Sequence, residues 1–297
     1  MKFKETLKNK LRGILNQQEL SLLPSGFQTI GNKLIIKLNP KILDKKELIG
    51  KALLELLPYI KSIYINHGKI KGKFRQPEKI EFLVGENNPI VEHKEHDVTY
   101  RFDITQIMFS KGNINERKHL ATLVQPKEII VDMFAGIGYF SLPIAKHSDV
   151  EKVYSIELNP ISFKYLSENI MINHLEDKIV PIHGDCKEEV IKLSTSGIRA
   201  DRVIMGVFPA PKDYINDALT LTKKEGTIYH YEGVVDKEHY MELYEEFKEI
   251  ANEKGYQSNL KSKRFVKSVG PNLYHVVLDI LVSKNIKKYQ NNSTFFK

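Results

Sequence analysis

The residues best suited to chemistry lie in one stretch, Ile129-Ile130-Val131-Asp132-Met133-Phe134-Ala135-Gly136-Ile137-Gly138-Tyr139-Phe140. A β-branched apolar run closes on an acidic residue, turns through Gly-x-Gly, and passes into a helical pattern carried by Leu142, Ile144 and Ala145. Glycines in such a turn let the backbone come close to a ligand, where a Cβ would block it. A second apolar run, Lys152-Val153-Tyr154-Ser155-Ile156, ends on Glu157. That is roughly 20 residues past the glycines, where a doubly wound sheet places its ribose-binding carboxylate. The turn has no third glycine, since Leu142 and Pro143 follow. This favours a nucleoside without a pyrophosphate, and S-adenosyl-L-methionine fits that description. A lone Gly-x-Gly is often only a tight turn; strand, turn, helix, strand and terminal Glu in order point to a pocket.

Elements that alternate must hold these residues in place. Strands are expected at 128–131, 153–156, 179–182, 201–206 and 226–231, with helices at about 113–123, 161–173 and 236–254 between or beside them. Strands alternating with helices of this length imply an α/β fold with a parallel sheet, here a Rossmann-type doubly wound sheet of the class I methyltransferase kind. Two closing strands, about 260–267 and 273–281, suit an antiparallel edge. Upstream, residues 1–22 read as a basic amphipathic helix with Leu7, Leu11, Ile14 and Leu15 on one side, broken by Pro24-Ser25-Gly26. Residues 23–100 read as a small α+β accessory domain, 101–286 as the catalytic domain, and 287–297 as a polar, disordered tail.

In such a sheet the ligand sits beyond the carboxyl ends of the central strands. This gathers Phe134 and Gly136 of the turn, Glu157, Asp185 with Cys186, and Gly206 with the Pro209-Ala210-Pro211 loop around one cleft. Asp185 suits an adenine amino group, with the neighbouring amide on a ring nitrogen, or equally a helix N-cap after Gly184. Cys186 reads as a small packing residue, because nothing beside it resembles an activating base. Before the first strand lies Phe109-Ser110-Lys111-Gly112-Asn113-Ile114-Asn115-Glu116-Arg117. Asn113 and Glu116 have the spacing of a capping box, and Glu116 is also a candidate general base. A hydroxyl at Ser110 and a guanidinium at Arg117 suit the carboxylate of an amino-acid moiety.

The chain has 297 residues, a formal net charge of +8 and one cysteine. No apolar run approaches a membrane span, and a single cysteine excludes an internal disulfide framework or a Cys-rich metal site. A reducing, cytoplasmic setting is expected. The positive charge suits a nucleic acid, and its placement narrows the candidates. Lys69, Lys71, Lys73 and Arg75 alternate with small or apolar residues, and Lys263 and Arg264 stand beside Phe265 in a second basic stretch. Both stretches suit phosphates and an unpaired base, or a solvated strand edge.

Taken together, Phe109-Ser110-x-Gly-Asn-Ile-x-Glu-Arg, the Val131–Phe140 turn, Glu157-x-Asn-Pro160 and Arg202-Val-Ile-Met-Gly206 resemble the archaeal wybutosine-synthesis transferases, relatives of the guanine-N1 methyltransferases of tRNA position 37. The likeness spans about residues 24–284. It implies transfer of the 3-amino-3-carboxypropyl group of S-adenosyl-L-methionine, as cosubstrate, to the tricyclic base at position 37 of tRNA(Phe). It also implies that Ser110, Arg117, Glu157, Asp185 and Cys186 contact the cosubstrate. A sulfonium activates all three of its carbons, so this reaction asks for no metal, and no obligate protein partner is implied; a monomer is expected. The methyltransferases carry Asn-Leu-Pro after the fourth strand, where the amide helps handle the guanine; here the strand ends Met205-Gly206-Val207-Phe208-Pro209. Cys186 stands where this family commonly has Asn, and the Val207–Pro211 loop is unusually rich in proline.

Overall fold

The computed structural model describes residues 3–68, 70–71 and 76–285. The chain forms two compact units, one comprising residues up to Glu95 with Thr99–Phe109, the other His96–Val98 with Ser110 onward. The boundary therefore lies at Phe109 rather than at residue 100. Phe109 explains the difference, because its ring packs against His93, Tyr100 and Phe102 of the first unit.

In the first unit a four-stranded sheet runs in the order Gln28–Ile30, Lys33–Ile36, Ser62–Asn66 and Ile80–Gly85. The helix Lys46–Leu56 buries Ile49, Ala52 and Leu53. The N-terminal segment is not a separate helix. It forms two helices, Phe3–Leu11 and Gln17–Leu22, the second opened by an Asn16–Glu19 capping box. Leu7, Leu11 and Leu15 join the core of this unit, whereas Ile14 is exposed because the chain turns at Gly13. The strands Ile90–Glu95 and Val98–Asp103 pair in a two-stranded sheet of their own.

The second unit is built on seven strands: β1 (Ile129–Asp132), β2 (Lys152–Glu157), β3 (Ile179–His183), β4 (Arg202–Met205), β5 (Thr227–Asp236), β6 (Tyr256–Gly270) and β7 (Leu273–Lys284). Their order is β3-β2-β1-β4-β5-β7-β6. The first five are parallel, and β7 runs antiparallel between β5 and β6. Strand order reverses between β1 and β4, so a crevice opens beyond their carboxyl ends. This is the doubly wound fold expected from the alternating pattern, with a long antiparallel hairpin at its edge.

Alternation along β5 separates the two faces. Tyr229 and Tyr231 pack on Phe247 of the helix Tyr240–Glu253. His230 and Glu232 point the other way, toward Phe140 and Glu116. A buried ion pair anchors the start of the sheet. Arg202 bonds Glu128 at 3.2 Å and donates to the carbonyl of Leu123 at the end of the helix Ile114–Leu123, where helix carbonyls lack intrahelical partners. Arg202→Ala would strand a buried carboxylate, and a loss of about 3–5 kcal/mol is expected. Urea unfolding measures it, and removing Glu128 as well is expected to recover part of the loss.

Candidate functional site

The turn after β1 owes its shape to its glycines. Gly136 has φ +59° and Gly138 φ +95°, and a Cβ at Gly138 would lie 2.7 Å from Leu142. Glu157, at the end of β2, clamps this turn: Oε2 accepts from the Gly136 amide and Oε1 from the Asn159 amide, each at 2.7 Å. Burial pushes the Glu157 carboxyl upward, and these amides oppose the shift. A carboxylate has about four lone-pair sites, so acceptor capacity remains beyond these amides. Asp132 plays a different part. It is buried, with a pKa raised to about 6 by burial, and accepts from Ser141 Oγ at 2.7 Å, which in turn accepts from Ser155. It holds the helix Ser141–His147 to the sheet.

At the end of β3, Asp185 caps the helix Cys186–Thr195 by accepting from the Lys187 amide. The Cys186 side chain is buried in the core beneath, and burial drives its thiol to about 12, so it acts as packing. Phe134 packs edge-to-face on Tyr214. Beyond β4, Gly206 lies against Glu232 and Phe140: a Cβ there would stand 3.3 Å from each side chain.

A model of the TRM5/TYW2 methyltransferase domain matches residues 91–258, and one of the TYW2 N-terminal domain matches residues 7–88. The chain belongs to the TRM5/TYW2 family. It is 36% identical over 284 residues to the tRNA(Phe) (4-demethylwyosine(37)-C(7)) aminocarboxypropyltransferase of Pyrococcus horikoshii, covering 94% of this chain and 98% of that one. The tRNA (guanine(37)-N(1))-methyltransferase Trm5b of Pyrococcus abyssi is 32% identical over 277 residues, 93% of this chain and 81% of the relative. The crystal structure of P. horikoshii TYW2 in complex with MeSAdo superposes with a TM-score of 0.79 at 32% identity, covering 95% of this chain and all of that one.

In this TRM5/TYW2 chain the entry loop departs from the capping box expected at Asn113. Asn113 makes no side-chain cap, and its Oδ1 is buried without a partner among the described residues. The Glu116 carboxylate turns instead to Arg264, accepting from Nε at 3.0 Å and Nη2 at 2.9 Å, a bidentate pair stronger than a single amide bond. This engagement argues against Glu116 as a general base. Arg264, expected as a nucleic-acid contact, is part-buried and engaged within the protein, its Nη1 donating to Asp279 at 2.6 Å. Arg117 is buried and donates to the Ser110 carbonyl, while Lys267 donates to Ser110 Oγ at 2.8 Å.

Around this pair runs a buried network that sequence reasoning missed. His230 lies 3.1 Å from Asp279 and 3.3 Å from Glu232, and His275 lies 3.0 Å from Glu232. The signal was present as His-x-Glu on β5 and His-x-x-x-Asp on β7, but only strand pairing brings the two together. Of the expected nucleic-acid contacts, Lys263 is exposed and stands over the Tyr240 ring at 3.8 Å. Lys69, Lys73 and Arg75 lie outside the described residues, as does the tail expected at 287–297; Lys71 falls in the short strand Ile70–Lys71.

Burial alone would strip the His230 proton, but the Asp279 and Glu232 carboxylates outweigh it and raise its pKa to about 9. Burial would likewise raise Glu232, yet hydrogen bonds from His230 and His275 lower it to about 2. A raised histidine stabilises the fold fully below its unfolded value of 6.5 and loses that contribution as pH climbs through 9. The melting temperature is therefore expected to fall between pH 6.5 and 9. His230→Gln should be less stable at neutral pH and lack that alkaline decline, as differential scanning calorimetry across pH would reveal.

Proposed function

We propose that the crevice beyond β1, β2 and β4 binds S-adenosyl-L-methionine. The chain transfers its 3-amino-3-carboxypropyl group to the 4-demethylwyosine base at position 37 of tRNA(Phe), releasing methylthioadenosine. The observation that carries this reading is the end of β4. Gly206 stands there with Glu232 behind it, so the strand offers no amide to a guanine edge. The 36% identity to an aminocarboxypropyltransferase along nearly the full length of both chains supports it.

In this reading the unused lone pairs of Glu157 accept the ribose hydroxyls. Asp185 accepts from the adenine amino group, and the Cys186 amide meets a ring nitrogen. Ser110 and Arg117, with Lys267 beside Ser110, hold the methionine carboxylate. A sulfonium exposes three carbons to attack, and the enzyme selects the product by presenting one of them. Fixing the carboxylate end turns the γ-carbon to the base, and alignment supplies most of the acceleration. Lys263, with Lys69, Lys71, Lys73 and Arg75, provides phosphate contacts. Every assigned group comes from one chain, so a monomer acting on tRNA in the cytoplasm suffices.

The competing reading, supported by the similarity to Trm5b, is methylation of guanosine 37. Mass spectrometry of products from S-adenosyl-L-methionine and tRNA bearing either base separates them. Methylthioadenosine with a base heavier by one aminocarboxypropyl group is expected; S-adenosylhomocysteine with methylguanosine would overturn the assignment. Glu157→Ala is expected to weaken cosubstrate binding by about 1.5–3 kcal/mol, a charge-assisted hydrogen bond's worth. Unchanged affinity in titration calorimetry would move the ribose elsewhere.

A further inference from the structure

Transfer to a ring carbon obliges that carbon to lose its hydrogen, and the network behind Gly206 contains a group arranged to take it. We infer that His275, oriented by Glu232, is the base that removes the ring proton once the carbon–carbon bond has formed. The inference rests on the reading above.

The first support is tautomeric. Glu232 is an acceptor only, and His275 Nε2 lies 3.0 Å from its Oε2, so Nε2 carries the hydrogen and the lone pair sits on Nδ1. Nδ1 is buried and has no hydrogen-bond partner among the described residues. An unsatisfied buried nitrogen costs stability and calls for a reason; a donor arriving with the substrate is one. A carboxylate that fixes an imidazole with its second nitrogen left open is the arrangement of a general base.

Position is the second support. The His275 ring meets Phe208 edge-to-face at 4.7 Å, and Phe208 is two residues past Gly206, on the loop beyond β4. Glu232 itself backs Gly206. The dyad thus stands at the strand end where the guanine methyltransferases present their amide. Contact with the base requires the Phe208 ring to turn aside.

The neighbouring groups leave His275 this task. Glu232 is shared by two imidazoles and is a poor proton acceptor. His230 is held as an imidazolium between Glu232 and Asp279 on β5 and β7. On β6, Arg264 is taken up by Glu116 and Asp279, and Lys267, which pairs with His275 across the strands, donates to Ser110.

The step balances. A π pair of the ring forms the bond to the γ-carbon while the carbon–sulfur pair returns to sulfur, giving neutral methylthioadenosine. The cationic ring then releases its hydrogen as a proton to Nδ1, and the C–H pair restores the aromatic ring. The positive charge comes to rest on an imidazolium beside the Glu232 carboxylate, and the proton passes to water after product release.

The test compares full-length wild type with His275→Gln in single turnovers, on tRNA carrying hydrogen or deuterium at the reacting carbon. The variant is expected to bind S-adenosyl-L-methionine normally and to react about 10²–10⁴-fold more slowly. It should also show a primary deuterium isotope effect absent from wild type, and imidazole should partly restore His275→Ala. A rate within about threefold of wild type, or a slow rate without isotope effect or rescue, would overturn the assignment, since general-base removal is worth far more. Should substitution at 275 unfold the chain, Glu232→Gln keeps the imidazole and is expected to show the same isotope effect; its absence there counts against the dyad. S-adenosylhomocysteine as the wild-type product, with these isotope results intact, would remove the aminocarboxypropyl reading and leave the base in place.

Discussion

Three buried carboxylates on one face of a sheet are tolerable only if each finds a cation or a donor, and the catalytic unit is arranged around that requirement. Glu116, Glu232 and Asp279 are all buried, and the guanidinium of Arg264 and the imidazoles of His230 and His275 answer them. Removing one member leaves another charged and unpaired, which is why such clusters behave as units. The network spans the helix Ile114–Leu123, β5, β6 and β7. It thereby locks the hairpin edge and the entry helix to the strand that carries the Gly206 loop.

A β-bulge makes this cluster possible. Between Phe265 and Lys267 the β6–β7 register slips by a residue, so Lys267 pairs with His275 while Arg264 pairs with Val277. Both cations then lie on the same side of the hairpin despite their odd spacing, one directed to Glu116 and the other to Ser110. Bulges commonly re-aim a side chain beside a functional site. Here the bulge lets two part-buried cations of a basic strand reach partners within the protein, while Lys263 stays exposed over Tyr240.

The other end of the crevice rests on a simpler device. Glu157 holds the glycine turn through the Gly136 amide while keeping acceptor capacity for a ligand. One carboxylate thus shapes the loop and, in the proposed reading, also takes the ribose. Asp185 combines a cap and a rim position in the same way. The cap and ligand readings of that residue are compatible, because a carboxylate has lone pairs enough for both.

The alternating strands and helices of the sheet, and the places of Gly136, Glu157, Asp185 and Gly206 at its turns and strand ends, were legible in the sequence. They depend on local signals: β-branched runs, glycines at positive φ, and acidic residues at strand ends. Family membership was legible for the same reason, since its motifs are contiguous. What the sequence could not settle was which charged residues meet. Glu116 and Arg264 are separated by 148 positions, and His230 and Asp279 by 49. Their pairing follows from antiparallel register and a bulge, neither of which local composition encodes. Only the folded chain decided that Glu116 is held by a cation, that this cation is Arg264, and that His275 Nδ1 is left without a partner among the described residues.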